Sequence, residues 1–232
     1  MPQTIQNGHK LTLAVHVNLW YNHYNIRKTN TTTKGGLNIM NSNVPGTVLP
    51  LTDWAKDRVR QGQAFDALIS PILSATGGVT LSQLARFTGL EGSTIQNWIK
   101  RGWVASNKNK KYTEKQVARI LLINVLRAAM KLEDIVSLMT YINGEVEDES
   151  DDILHDKDLF DLLCSAVLRL DDTEGIRIDG ENVMKISDSM ISQEFTGEGR
   201  EKLQKALAIM LLAYRSSILK REAYALYGEI DL

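Results

Sequence analysis

Six polar side chains crowd one short segment of this chain: Ser93, Thr94, Gln96, Asn97, Lys100 and Arg101. Between them stand Ile95, Trp98 and Ile99, whose spacing predicts a helix with a buried apolar stripe and an outward polar face. Residues of these types suit a polyanion. A hydroxyl and open backbone amides at a helix start hold a phosphate oxygen. Glutamine and asparagine amides pair bidentately with adenine in a major groove, and lysine and arginine neutralise phosphates with release of counterions. A second cationic segment follows at Asn107-Lys108-Asn109-Lys110-Lys111-Tyr112, where Lys108, Lys110, Lys111 and Tyr112 are expected to straddle the adjoining nucleic-acid backbone.

The elements that must position these groups are readable on either side. Thr80, with Ser82, can cap a helix of the pattern L-S-Q-L-A-R-F that ends at Thr88-Gly89, and the next helix opens near Ser93. Thr113-Glu114-Lys115-Gln116 is a capping box that starts a long helix reaching about Met130, with Val117, Ile120, Leu121, Val125 and Leu126 spaced for burial. Another begins at Leu132-Glu133-Asp134, its acids suiting the positive end of the helix dipole, and stops at Asn143-Gly144. Upstream, Thr52 or Asp53 caps a helix carrying Trp54, Val59 and Phe65, and Ala64 to Leu73 continues helically with a kink at Pro71. Downstream, Leu154 to Leu170 is an amphipathic helix and a final one runs from about Gly199 to Tyr227. Between those two, Gly175 to Gly180 reads either as a tight two-stranded element or as loop.

Charge separates the chain into two modules. Overall it carries 27 basic and 28 acidic side chains, a formal net charge of -1. Between Thr80 and Lys131, however, ten cations face two acids (Glu91 and Glu114), and from Glu145 to Arg200 the balance reverses, led by the run Glu145 to Asp152. The single cysteine, Cys164, excludes an internal disulfide and any cysteine-based zinc cluster. It lies in the apolar run Leu162 to Leu168, where a buried structural thiol is expected. No cofactor or metal site is expected: the histidines at 9, 16 and 23 fit no ligand spacing. No apolar run approaches the roughly 18 residues of a membrane span, so no membrane role is expected and the setting is taken as the bacterial cytoplasm. Asp151-Asp152 and Asp156-Lys157-Asp158, with His155 between them, look like carboxylate pairs but are read as a solvated segment and helix start, not as catalytic groups.

The stretch Thr88-Gly89-Leu90 through Gly102-Trp103-Val104 resembles, without a gap, the T-G-V-x-x-x-T-L-R-Y-Y-x-x-x-G-L-L segment of MerR-type regulators. Lys111-Tyr112-Thr113 is similar to the entry of their third helix, and Leu132-Glu133-Asp134-Ile135 to their fourth. More closely, Asn97-Trp98-Ile99-Lys100-Arg101-Gly102 with Lys110-Lys111-Tyr112 resembles an uncharacterised bacterial domain-of-unknown-function family with the pattern N-(Y/W)-x-K-x-G…K-K-Y. The resemblance covers about residues 50–144. It implies a mainly α fold: a MerR-like winged helix-turn-helix domain at 50–144, an acidic linker at 145–152, and an acidic helical region at 153–232 for dimerisation or effector sensing. The departures are specific. Gln96 stands where MerR-type proteins carry a DNA-contacting arginine, the aromatic pair becomes Asn97-Trp98, the wing is shorter, and the long helix that follows in those regulators is displaced by Asn143-Gly144 and the acidic run.

The first 39 residues differ in composition, since no acid appears before Asp53. Lys34-Gly35-Gly36 back-translates to a purine-rich ribosome-binding sequence three codons ahead of Met40. Residues 1–39 are therefore expected to be a disordered, read-through upstream segment, with translation starting at Met40. From these residues the expected function is a DNA-binding transcriptional regulator, not an enzyme, that reads double-stranded DNA as a homodimer because two half-sites multiply modest affinities. A small molecule or protein is its expected effector. The alternative is a protein-interaction adaptor that keeps the winged-helix fold without binding DNA.

Overall fold

The computed structural model describes residues 53–106, 110–148, 150–173 and 178–230. Residues 1–52, including the upstream segment, the Met40 start and the Thr52 cap, lie outside the described residues, as do residues 174–177. Three short helices open the described chain: α1 (Asp53–Arg60), α2 (Ala64–Leu68) and α3 (Ser70–Thr76). The single kinked helix expected from Ala64 to Leu73 is two helices. The break falls at Ile69, and Pro71 is accommodated in the first turn of α3, where a missing N–H costs nothing. Gly77 ends α3 in the left-handed region, and Gly78 follows at φ 115°. A Cβ on Gly78 would lie 3.0 Å from the Lys111 Cβ and 3.2 Å from the Tyr112 carbonyl oxygen, so glycine is required where these two segments meet.

That meeting is a two-stranded antiparallel sheet, β1 (Val79–Thr80) with β2 (Lys111–Tyr112), in which Val79 faces Tyr112 and Thr80 faces Lys111. Thr80 also caps α4 (Leu81–Thr88): its hydroxyl accepts the Gln83 N–H at 3.3 Å while its own N–H reaches Gln83 Oε1 at 2.9 Å. Gly89, at φ 69°, turns the chain into α5 (Gly92–Lys100). After β2 the capping box at Thr113 and Gln116 forms as the sequence implies and opens α6 (Glu114–Leu126). Gln116 is buried, and its Nε2 also donates to the carbonyls of Ala105 (3.0 Å) and Ser106 (3.2 Å), so one side chain caps α6 and fastens the loop that leaves α5.

The rest is helical: α7 (Leu132–Asn143), α8 (Asp156–Asp171), α9 (Gly180–Met190) and α10 (Gly197–Tyr227). Helix α8 is apolar on nearly every side, with Leu159, Phe160, Leu163, Ala166 and Val167 all buried, as a central helix must be. Phe160 meets Phe65 of α2 edge to face at 6.1 Å between ring centres, and Ser165 Oγ donates to the Val59 carbonyl of α1 at 2.5 Å. One buried core therefore runs from Val59 to Tyr214 and joins the basic and acidic halves across the segment read as a linker. Helix α9 has no counterpart in the sequence reading. Asp179 caps it by accepting the Asn182 N–H at 3.0 Å, and Val183 and Ile186 face inward, but the next inward position is Ser187, whose hydroxyl bonds back to the Val183 carbonyl. That buried serine interrupts the apolar rhythm. Cys164 is buried as expected, and desolvation pushes its thiol pKa well up.

Asp161, on the α8 face against α2, accepts the Phe65 N–H at 2.6 Å, and burial raises its carboxyl pKa to about 6. Because the folded pKa lies above the unfolded value, the folded state holds this proton more tightly. The stabilisation is complete below about pH 4 and is lost as pH rises through about 6, a span of roughly 2 to 3 kcal/mol. Asp161→Asn keeps an acceptor for Phe65 and removes the buried charge. Urea unfolding is expected to find the variant more stable than the parent at pH 8 and nearly equal to it at pH 4; an equal gap at both would refute the assignment.

Candidate nucleic-acid interface

Helix α5 divides as its sequence implies. Ile95 and Trp98 are fully buried, whereas Ser93, Gln96, Asn97 and Lys100 are exposed and Thr94 is half-buried. Positions 93, 96, 97 and 100 follow the i, i+3, i+4, i+7 rule and so share one face. Together with Thr94 they line a shallow open concavity of about 480 Å³. Glu91 is the cap residue by backbone conformation, but its side chain makes no capping bond, so the first turn of α5 points its amides and the Ser93 hydroxyl outward without a side-chain partner at the cap.

Arg101 is held differently. Its guanidinium lies over the Trp103 ring at 4.8 Å and is 3.6 Å from Glu133 Oε1, with half of the side chain exposed. Such a pair at the surface is weak and is screened by salt. In the second cationic segment, Lys110 and Lys111 are exposed and line a separate concavity of about 580 Å³ with Gly77, Gly78 and Thr113, and the Lys111 ammonium donates to the Thr76 carbonyl. Tyr112 corrects the expectation that it would straddle a phosphate backbone. It is only 4% exposed, its ring packs in the core, and burial pushes its phenol pKa up. Alternation along β2 explains this: with Lys111 outward, the next residue must face in. Lys108 lies outside the described residues.

Not all of the ten cations counted in the sequence reach the surface. Arg119 of α6 is buried, and its Nη1 pairs with Asp156 of α8 at 3.1 Å, both side chains being at most 3% exposed. Arg119 Nε donates to the Trp103 carbonyl at 2.8 Å, while Asn143 Nδ2 donates to Asp156 Oδ1 at 3.3 Å. Four segments thus converge on one buried network: the loop leaving α5, the middle of α6, the end of α7 and the start of α8. Asp156, read as part of a solvated helix start, is instead its anionic centre. Asn143 does more than stop α7, since its Oδ1 also accepts the Leu154 N–H at 3.4 Å. Arg127 is half-buried, donates to Asn124 Oδ1 at 2.8 Å, and has its pKa lowered by desolvation. The clue to Arg119 was available: it sits among Val117, Ala118, Ile120 and Leu121, on a helix whose buried stripe is too wide to leave it outside. Part of the acidic run also returns to this end of the molecule, where Glu147 Oε1 accepts the Ser106 N–H at 2.8 Å.

Among the described residues no helix is long and apolar enough to cross a membrane. Residues 74–163, which span the end of α3 to the first half of α8, match a family described as a domain of unknown function, DUF1836. The match contains the whole α5 face, both strands and every member of the Arg119 network. No curated protein and no solved structure matches the chain significantly.

Proposed function

We propose that this protein is a DNA-binding transcriptional regulator, with α4, the Gly89 turn and α5 acting as a helix-turn-helix and the segment around β2 as a short basic wing. The observation that carries the reading is the face of α5. Ser93, Gln96, Asn97 and Lys100 stand outward in one row while Ile95 and Trp98 anchor the opposite side in the core. A helix held in this way can enter a major groove as a rigid body. Its two amides are the side-chain types that read adenine edges, and Lys100, Lys110 and Lys111 supply phosphate contacts. The pattern likeness to MerR-type regulators supports the same geometry. The Gln116 and Arg119 bonds to the loop leaving α5 support the rigidity that base reading requires.

Selection from a random duplex library with the full chain tests the proposal, and an enriched motif is the expected result. Lys110→Ala with Lys111→Ala should then weaken binding to all sequences alike and lower the salt slope by about 2. A library that yields no enrichment, from a chain that captures no duplex at low salt, would favour the adaptor reading. The acidic contacts at the α5 exit, Glu133 to Arg101 and Glu147 to Ser106, fit that reading better than they fit a polyanion site.

A further inference from the structure

We infer that the last helix pairs with its counterpart in a second copy of this chain, in antiparallel orientation, through a seam formed by Leu212, Ser216, Leu219, Ala223, Leu226 and Ile230. Helix α10 packs in the core through Leu203, Leu207, Met210, Leu211 and Tyr214, but beyond that its burial ends while its apolar residues continue. Leu219 is 69% exposed and Leu226 65%, and Ile230, in the turns that prolong the helix, is exposed as well. The six seam residues are spaced alternately by four and three, the period that keeps one stripe facing a partner helix. Leu212, half-buried, joins the seam to the body of the protein.

Exposed apolar side chain continues along the seam. Leu219, Leu226 and Ile230, with Tyr227 at the flank, offer roughly 400 Å² per copy, the size of the largest and often functional patch on a monomer, and about 800 Å² for a pair, to which Leu212, Ser216 and Ala223 add. Side-chain size then selects the orientation. Every leucine of the seam occupies one heptad position, and Ser216, Ala223 and Ile230 occupy the other. In a parallel pair serine meets serine and alanine meets alanine, leaving two empty layers between crowded ones. In an antiparallel pair centred near Arg221, Leu219 meets Ala223 of the partner subunit, Leu226 meets Ser216 of the partner subunit, and Leu212 meets Ile230 of the partner subunit. Each large residue then faces a smaller or branched one, and the interface closes on itself with two-fold symmetry. Charge agrees with size. Arg215 already pairs with Asp171 at 2.6 Å; a parallel pair would set Lys220 of the partner subunit beside it, whereas the antiparallel pair sets beside it the flank that carries Glu222 and Glu229 of the partner subunit.

Sedimentation of the full chain at tens of micromolar is expected to give twice the 26.0 kDa of one copy, and Leu219→Glu with Leu226→Glu should return it to one copy with unchanged helicity, since both positions are exposed. Orientation is read by oxidation. Leu219→Cys and Ala223→Cys chains should cross-link when mixed and not when each is oxidised alone; Cys164 is buried and does not interfere. A chain that sediments as one copy would leave the seam to a different protein and overturn the inference. A dimer that survives the glutamates would overturn it too, and cross-linking of either cysteine variant alone would overturn the antiparallel pairing. None of these outcomes depends on DNA binding.

Discussion

Arg119→Ala is expected to destabilise the protein by about 3 to 5 kcal/mol, the usual cost of stranding one partner of a buried ion pair. The substitution strips the buried Asp156 of its cation, with Asn143 its remaining hydrogen-bond partner among the described residues, and it removes the donor from the Trp103 carbonyl. Urea unfolding at pH 7 should show the loss as a lower midpoint. Asp156→Ala should cost a similar amount from the other side, because the guanidinium then stays buried without its anion. If Arg119→Met with Asp156→Leu recovers much of the loss, the pair is acting as a specificity lock more than as a source of stability. A shift below about 1 kcal/mol for Arg119→Ala would mean that the network is not closed in solution.

The second large effect is expected at the α5 face. Gln96→Ala with Asn97→Ala should weaken binding to a selected site by at least about 30-fold, taking the low end of 1 to 3 kcal/mol for each bidentate amide–base pair. Affinity for mixed-sequence duplex should change by less than about threefold, because phosphate contacts carry no sequence information. Fluorescence anisotropy on the two duplexes measures both quantities. Stability should be unaffected, since both side chains are exposed. An equal loss on the two duplexes would show that these amides position the helix without reading bases.

Much of this architecture is legible in the amino-acid order because local chemistry decides it. The two capping boxes, at Thr80 and Thr113, fix where α4 and α6 begin, and Asn143-Gly144 marks where α7 ends. The α5 face was equally open to inspection, since the Ile95 and Trp98 stripe dictates which side chains turn out. Tertiary context decides the remainder. A charge count cannot tell an arginine that faces solvent from one that faces Asp156: the wide apolar stripe of α6 turns Arg119 inward, but its partner arrives only when α8 is laid across α6. Tyr112 turns inward because β1 fixes the register of β2, a pairing that links residues far apart in sequence. Helix α9 escapes notice because Ser187 satisfies its hydroxyl within the helix and so sits buried where an apolar residue is expected. The acidic run looks like a boundary by composition, yet Phe65, Phe160 and Ser165 pack across it.

If α5 and the basic segment around β2 form a polyanion-binding surface, binding to duplex DNA must weaken steeply with salt. The full-length chain is titrated into a mixed-sequence duplex at 50 mM and again at 200 mM monovalent salt. Four lysines on phosphates, Lys100, Lys108, Lys110 and Lys111, predict saturable binding at the lower salt and an affinity about 100-fold weaker at the higher. No binding at 50 mM salt, or an affinity that stays the same at both, would mean that these lysines do not meet phosphates.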